Sequence, residues 1–151
     1  MTRFQTRRKM LGRLLTLTGM ALIPTKIYAS LKGAFAAEDP DTATKELLGD
    51  LSVEESDQIS FTKLPDIAED GSVVSVGVKS EIPGIETVFI IIDNNPNPLS
   101  AKFNFTPSVP IDFSTRVKMG QSSMVRAIAV TQDKAYRVSK EVKVTLGGCG
   151  G

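Results

Sequence analysis

The sequence predicts an all-β chain: an immunoglobulin-like antiparallel β-sandwich of about seven strands, with a short N-terminal helix and a flexible C-terminal arm. Three observations carry that expectation. From Gln58 to Leu146, β-branched and aromatic residues recur at every second position, the pattern of strands with one buried face. These runs are short and roughly a dozen residues apart, with Pro or Gly at most of the turns between them. No longer period recurs, so a solenoid or propeller is not supported, and a closed barrel is the competing arrangement.

Taken in order, Glu38 to Asp57 is polar and acidic, and Asp39, Pro40 and Asp41 can start a short helix through Leu47 and Leu48 that Gly49 stops. That helix either docks on the body through its leucines or belongs to a loosely held arm. Ile59 and Phe61 alternate with polar neighbours, as do Val74, Val76 and Val78, where Gly77 signals a bulge or close packing. The run Thr87 to Ile92 is apolar on both faces. It is therefore either a central strand covered on each side or one whose outer face, around Phe89 and Ile91, meets another subunit, and the second reading is preferred. Asp93 to Pro98 is a turn built from asparagines and prolines. Strands follow at Phe103 and Phe105 and at Ile111 to Met119, and Met124 to Val130 pairs with Tyr136 to Leu146 as a hairpin across Gln132, Asp133 and Lys134. Lys140 interrupts the apolar stripe of the last strand.

A chain of 151 residues with 41% apolar and 23% charged content suits one globular domain. Its near-zero net charge conceals an asymmetry. The first 36 residues hold seven basic side chains and no acid, so removing them leaves 11 of the 18 basic residues against all 17 acidic ones, a balance of −6. A body of that sign is a poor partner for nucleic acid. Residues 1–36 read as a targeting leader: a basic stretch, an apolar run from Leu11 to Ile23, then small residues at Ala34 and Ala36, with cleavage expected after Ala36. The apolar run falls short of the ~20 residues a bilayer span needs, so no membrane anchor is expected in the mature form. Thr6, Arg7, Arg8, Lys9, Met10 and Leu11 resemble a twin-arginine export signal, with Met10 where phenylalanine is more usual, and Arg7 and Arg8 carry the resemblance. An ordinary secretory signal is the alternative. Twin-arginine export moves folded cargo, which suits a protein that acquires a metal or a partner first. With no histidine and one cysteine the chain cannot build a closed transition-metal site of its own, so co-export with a folded partner is the better reason.

The expected organisation is thus a leader at 1–36, an acidic segment with a short helix at 37–57, the sandwich at 58–146 and an arm at 147–151. The arm reads Gly147, Gly148, Cys149, Gly150, Gly151 and carries the only thiol in the chain. A single cysteine excludes an internal disulfide and leaves an intermolecular bridge or a thiol kept for chemistry. Four glycines strip the arm of every side chain but the thiol, so it can enter narrow sites where ordinary residues would clash. Fully extended, five residues span at most ~17 Å. Ordering such an arm costs about 1–2 kcal/mol per residue, which favours brief visits over tight binding. Nothing nearby in sequence activates Cys149, so partners must supply the redox centre or electrophile and the chain itself is not an enzyme. The bland alternative is a disordered glycine tail with an incidental or dimer-bridging cysteine.

The leader, the body and the terminus Lys143 to Gly151 together resemble the SoxY family of the thiosulfate-oxidising Sox system, as do the stretches Leu64 to Gly71 and Phe103 to Pro107. That resemblance implies a periplasmic carrier that pairs with a SoxZ-like subunit and holds sulfur intermediates covalently on Cys149, with Gly147, Gly148, Gly150 and Gly151 as flexible flanks. It further implies partner enzymes containing haem c, dimanganese and, in some systems, molybdenum, and no cofactor in this chain. Two other readings compete. One is a ubiquitin-like carrier bearing a thiocarboxylate at Gly151, which the export signal and the absence of a mixed helix-and-sheet pattern oppose. The other is an exported protein-binding module with a tail of no function.

Overall fold

The computed structural model describes residues 26–106 and 108–146. Its elements are α1 (Lys26–Ala36), α2 (Pro40–Leu48), β1 (Val53–Glu55), β2 (Ile59–Phe61), β3 (Ile67–Asp70), β4 (Val74–Ser80), β5 (Thr87–Ile92), β6 (Leu99–Asn104), β7 (Ile111–Val117), β8 (Ser123–Val130) and β9 (Ala135–Leu146). Two sheets face each other. The larger runs β1-β9-β8-β5-β6, with β3 also paired to β9, and the smaller runs β2-β4-β7. The expected sandwich is present and no barrel forms among the described residues. There are nine strands there rather than about seven, because β1 and β3 are too short and too polar to show an alternation. Nor is the sandwich wholly antiparallel: both short strands join β9 in parallel, Val53 opposite Ala135 and Ile67 opposite Lys143.

Local chemistry explains the elements. Asp39 caps α2 by accepting a hydrogen bond from the Thr42 N–H at 2.8 Å, Pro40 opens it, and Gly49 ends it at φ 58° with its N–H on the Lys45 carbonyl. Between the sheets, Val74, Val76 and Val78 of β4 meet Val88, Ile90 and Ile92 of β5 and Val125 and Ala127 of β8, all buried. Burying each such valine or isoleucine is worth about 1.5–3 kcal/mol, so the alternation sets which face turns inward. On the open side, Phe113 of β7 lies 4.5 Å from Phe103 of β6 and 5.4 Å from Phe105, ring centre to ring centre, joining the two sheets.

The outer face of β5 carries a correction. Phe89 and Ile91 are 5% and 0% exposed, because a second core forms there from Ala34, Leu48, Leu99, Ile128 and Ala135, with Leu31 and Leu47 against it. The two helices cover this face. In the chain as described, the doubly apolar run is therefore a strand covered on each side, not one with a free outer face.

Gly77 marks close packing. Its N–H donates to the Lys63 carbonyl at 3.1 Å and its carbonyl accepts from the Thr62 N–H at 2.9 Å. A Cβ placed there would sit 2.9 Å from the Lys63 Cβ and 3.0 Å from the Lys63 backbone nitrogen, as well as against the Thr62 hydroxyl. Since backbone cannot step aside as a side-chain tip can, Gly77→Ala is expected to destabilise the fold by about 1–3 kcal/mol, read as a lower urea midpoint. An unchanged midpoint would show that the 62–64 segment yields freely.

Candidate functional site

Cys149 and its glycines lie outside the described residues, as do Arg7 and Arg8; what the structure describes is the root from which the last five residues depart. That root is the end of β9. Strand β8 holds β9 on one edge as far as Ser123 opposite Val142. Beyond that pair the last residues are tied down on both sides. On one side β3 pairs Ala68 with Val144 and Asp70 with Leu146, and the Gly71 N–H donates to the Leu146 carbonyl at 2.7 Å. On the other, the Val144 N–H donates to the Ser122 hydroxyl at 2.9 Å. The Thr145 hydroxyl adds a bond to the Glu69 carbonyl at 2.9 Å.

The segment that makes this clamp is itself held. Gly71 accepts at its carbonyl from the Met119 N–H at 2.7 Å, and the Lys143 N–H donates to the Asp66 carbonyl at 2.9 Å. Lys140, the residue that breaks the apolar stripe of β9, reaches across to donate to the Leu64 carbonyl at 2.8 Å and lies 3.0 Å from the Asp66 carboxylate. Asp66 is 86% exposed, so the carbonyl bond matters more than the charge pair. Lys140 is thus a tether for Leu64 to Asp66. Sequence reasoning noticed its position and had no role for it; the signal was a lysine in an apolar stripe opposite a Leu-Pro-Asp turn.

Past β3 the chain turns sharply. Hydrogen bonds from Ser72, its side chain first and its N–H second, hold the Asp70 carboxyl below its ordinary value of 3.8; the N–H bond is 2.7 Å long. A depressed carboxyl contributes its stabilisation above the unfolded value and loses it as pH falls through the folded one. The turn beside the root should therefore be unchanged from neutrality to about pH 4 and loosen only below it. The amide shift of Ser72 followed by NMR should titrate with a midpoint under 3.8. A midpoint at or above that value would mean that the bond is not made in solution.

Near the root exposed apolar side chains stand among charged ones, Glu69, Asp70 and Lys143. Leu146 is 66%, Ile67 59% and Val73 58% exposed, three of the few large apolar side chains that the described residues leave in solvent. An open groove of about 620 Å³ runs beside them, lined by Lys63, Leu64, Pro65, Ala68, Asp70 and Val74 among others. Such a surface can bind, and it holds no constellation of acid, base and nucleophile among the described residues. Sequence reasoning placed the thiol and its flanks but missed this collar and the β3 clamp.

The sandwich is thus pinned to the end of its last strand, from which the sequence continues into a glycine-flanked single thiol. The comparisons give the class of protein, a sulfur carrier. The family described as "Sulfur oxidation protein SoxY" matches residues 44–149. Among solved structures, the sulfur carrier protein SoxY from Chlorobium limicola f thiosulfatophilum is 34% identical, with a TM-score of 0.64 over 70% of this chain and 96% of that one. A superoxide reductase (neelaredoxin) variant from Ignicoccus hospitalis is 15% identical, with a TM-score of 0.52 over 61% of this chain and 94% of that one, a likeness of fold alone. No curated protein matches. The chain belongs to the SoxY family: it is a sulfur carrier in sulfur oxidation, working with the Sox system, and not an enzyme.

Proposed function

We propose that the chain is exported through the twin-arginine pathway to the periplasm and that Cys149 is the covalent attachment point for sulfur during thiosulfate oxidation. The observation that carries this reading is the position of the chain's only thiol, three residues beyond a root that is hydrogen-bonded on both sides. A fixed root and a short glycine tip confine the sulfur to a shell of ~10 Å about Leu146. Within that radius an enzyme needs only to dock on the apolar collar for the tip to fall into its entrance.

The chemistry asked of the thiol balances without any group on this chain. The Cys149 thiol loses its proton and bonds to the sulfane sulfur of thiosulfate as two electrons leave to a haem c-containing partner. Water then attacks the terminal sulfonate sulfur at a dimanganese partner. The sulfur–sulfur bond next to it breaks, sulfate and two protons depart, and a persulfide anion stays on Cys149. A molybdenum-containing partner, where one exists, oxidises that persulfide further. A SoxZ-like subunit would travel with the folded chain, which is the reason for a twin-arginine signal.

Intact-mass and fragment spectra of the protein incubated with thiosulfate and its oxidising partner test the proposal. Sulfur is expected on the Cys149 side chain. Sulfur in place of oxygen at the Gly151 carboxyl would favour the thiocarboxylate carrier instead, and full activity after deletion of residues 147–151 would favour a binding module.

A further inference from the structure

We propose that the exported chain keeps the C-terminal half of α1, its leader being cut on the N-terminal side of Leu31 and not after Ala36; this rests on the export reading above. In sequence, Ala34 and Ala36 form the small-residue pair that a signal peptidase reads. In the structure they belong to a helix that is part of the body. Ala34 is completely buried and Leu31 packs with it onto Leu47, Leu48, Phe89, Ile91 and Leu99.

A cleavage box must be presented as exposed, extended chain, because the protease takes up the two small side chains from an unfolded segment. Here the outer of the two is enclosed, and Ala37 on the far side of the bond is only 7% exposed. Opening the site requires α1 to leave the sheet, a local unfolding that uncovers the part of the apolar face that Leu31 and Ala34 shield.

A consequence concerns assembly. With α1 retained, the face of Phe89 and Ile91 stays covered in the mature protein, so a partner subunit binds elsewhere on the sandwich.

The N-terminus of the protein recovered from the periplasm decides the matter, measured by intact mass and terminal sequencing. A cut chain that starts beyond Arg8 and no later than Leu31 is expected. A start at Ala37, or an uncut chain beginning at Met1, would overturn the proposal while leaving export intact, whereas absence of the chain from the periplasm would overturn both. Leu31→Asp gives an independent reading on the native exported protein. If α1 is kept, the charge lies in the second core and the urea midpoint of the mature protein drops. If the cut falls after Ala36, variant and wild type mature to the same molecule and their midpoints coincide, which would refute the inference.

Discussion

Cys149→Ser is expected to lower thiosulfate-dependent electron transfer in a reconstituted system to background, with the circular dichroism spectrum and urea midpoint unchanged. The effect should be total because there is one cysteine in 151 residues and no second nucleophilic sulfur to take over the attachment. A serine hydroxyl cannot substitute: it stays protonated at neutral pH, and an oxygen–sulfur linkage to the sulfane atom would not yield the persulfide on which the later steps act. Stability should not move, because the cores between the two sheets and beneath the helices are built without cysteine. Turnover within twofold of wild type would show that the tail is dispensable. Loss of turnover together with loss of fold would indicate a structural thiol instead.

How much of this molecule could be read without coordinates depends on the range of the interactions concerned. The strands of the inner core were legible because Val74, Val76 and Val78, or Ile111 and Val117, alternate with polar residues, and period two is a local property. The α2 helix was legible for the same reason, its start and stop being written in Asp39, Pro40 and Gly49. What covers β5 was not. Phe89 and Ile91 declare that something must shield them, but the shield includes Leu31 and Ala34, from a segment whose basic, small and apolar residues read equally well as the end of a leader.

At the site the division is similar. Composition alone singles out Cys149 among its glycines. The clamp on the root was hidden, because Ile67 meets Lys143 across 76 residues of sequence and a four-residue strand reading Ile-Ala-Glu-Asp shows no period. The stretch Leu64 to Gly71 was noticed for its family resemblance. Its physical task emerges only when Gly71, Thr145 and Lys140 are seen to close bonds between it and β9. Here the tertiary structure turns a recognisable motif into a mechanical part that holds the carrier strand to its last residue.

The second large effect is on stability. Arg126 of β8 lies opposite Ile91 on the outer face of the larger sheet, its Nε at 3.1 Å and its Nη2 at 2.6 Å from one carboxylate oxygen of Asp93, the residue that opens the β5–β6 turn. Both side chains are mostly enclosed, at 19% and 15% exposure, and the other carboxylate oxygen of Asp93 is buried without a hydrogen-bond partner among the described residues. Asp93 thus relies on this guanidinium. The further contact of Arg126 with Asp41 at the start of α2, 3.7 Å long and on a carboxylate 91% exposed, adds little. Arg126→Met keeps the packing of the stem but strands the carboxylate, so a loss of about 2–4 kcal/mol is expected by urea unfolding. The double variant Arg126→Met with Asp93→Asn should recover part of that loss, because the uncompensated charge is gone while a polar side chain still starts the turn. If the double variant is instead the sum of its single changes, the cost lies in packing rather than in the stranded charge.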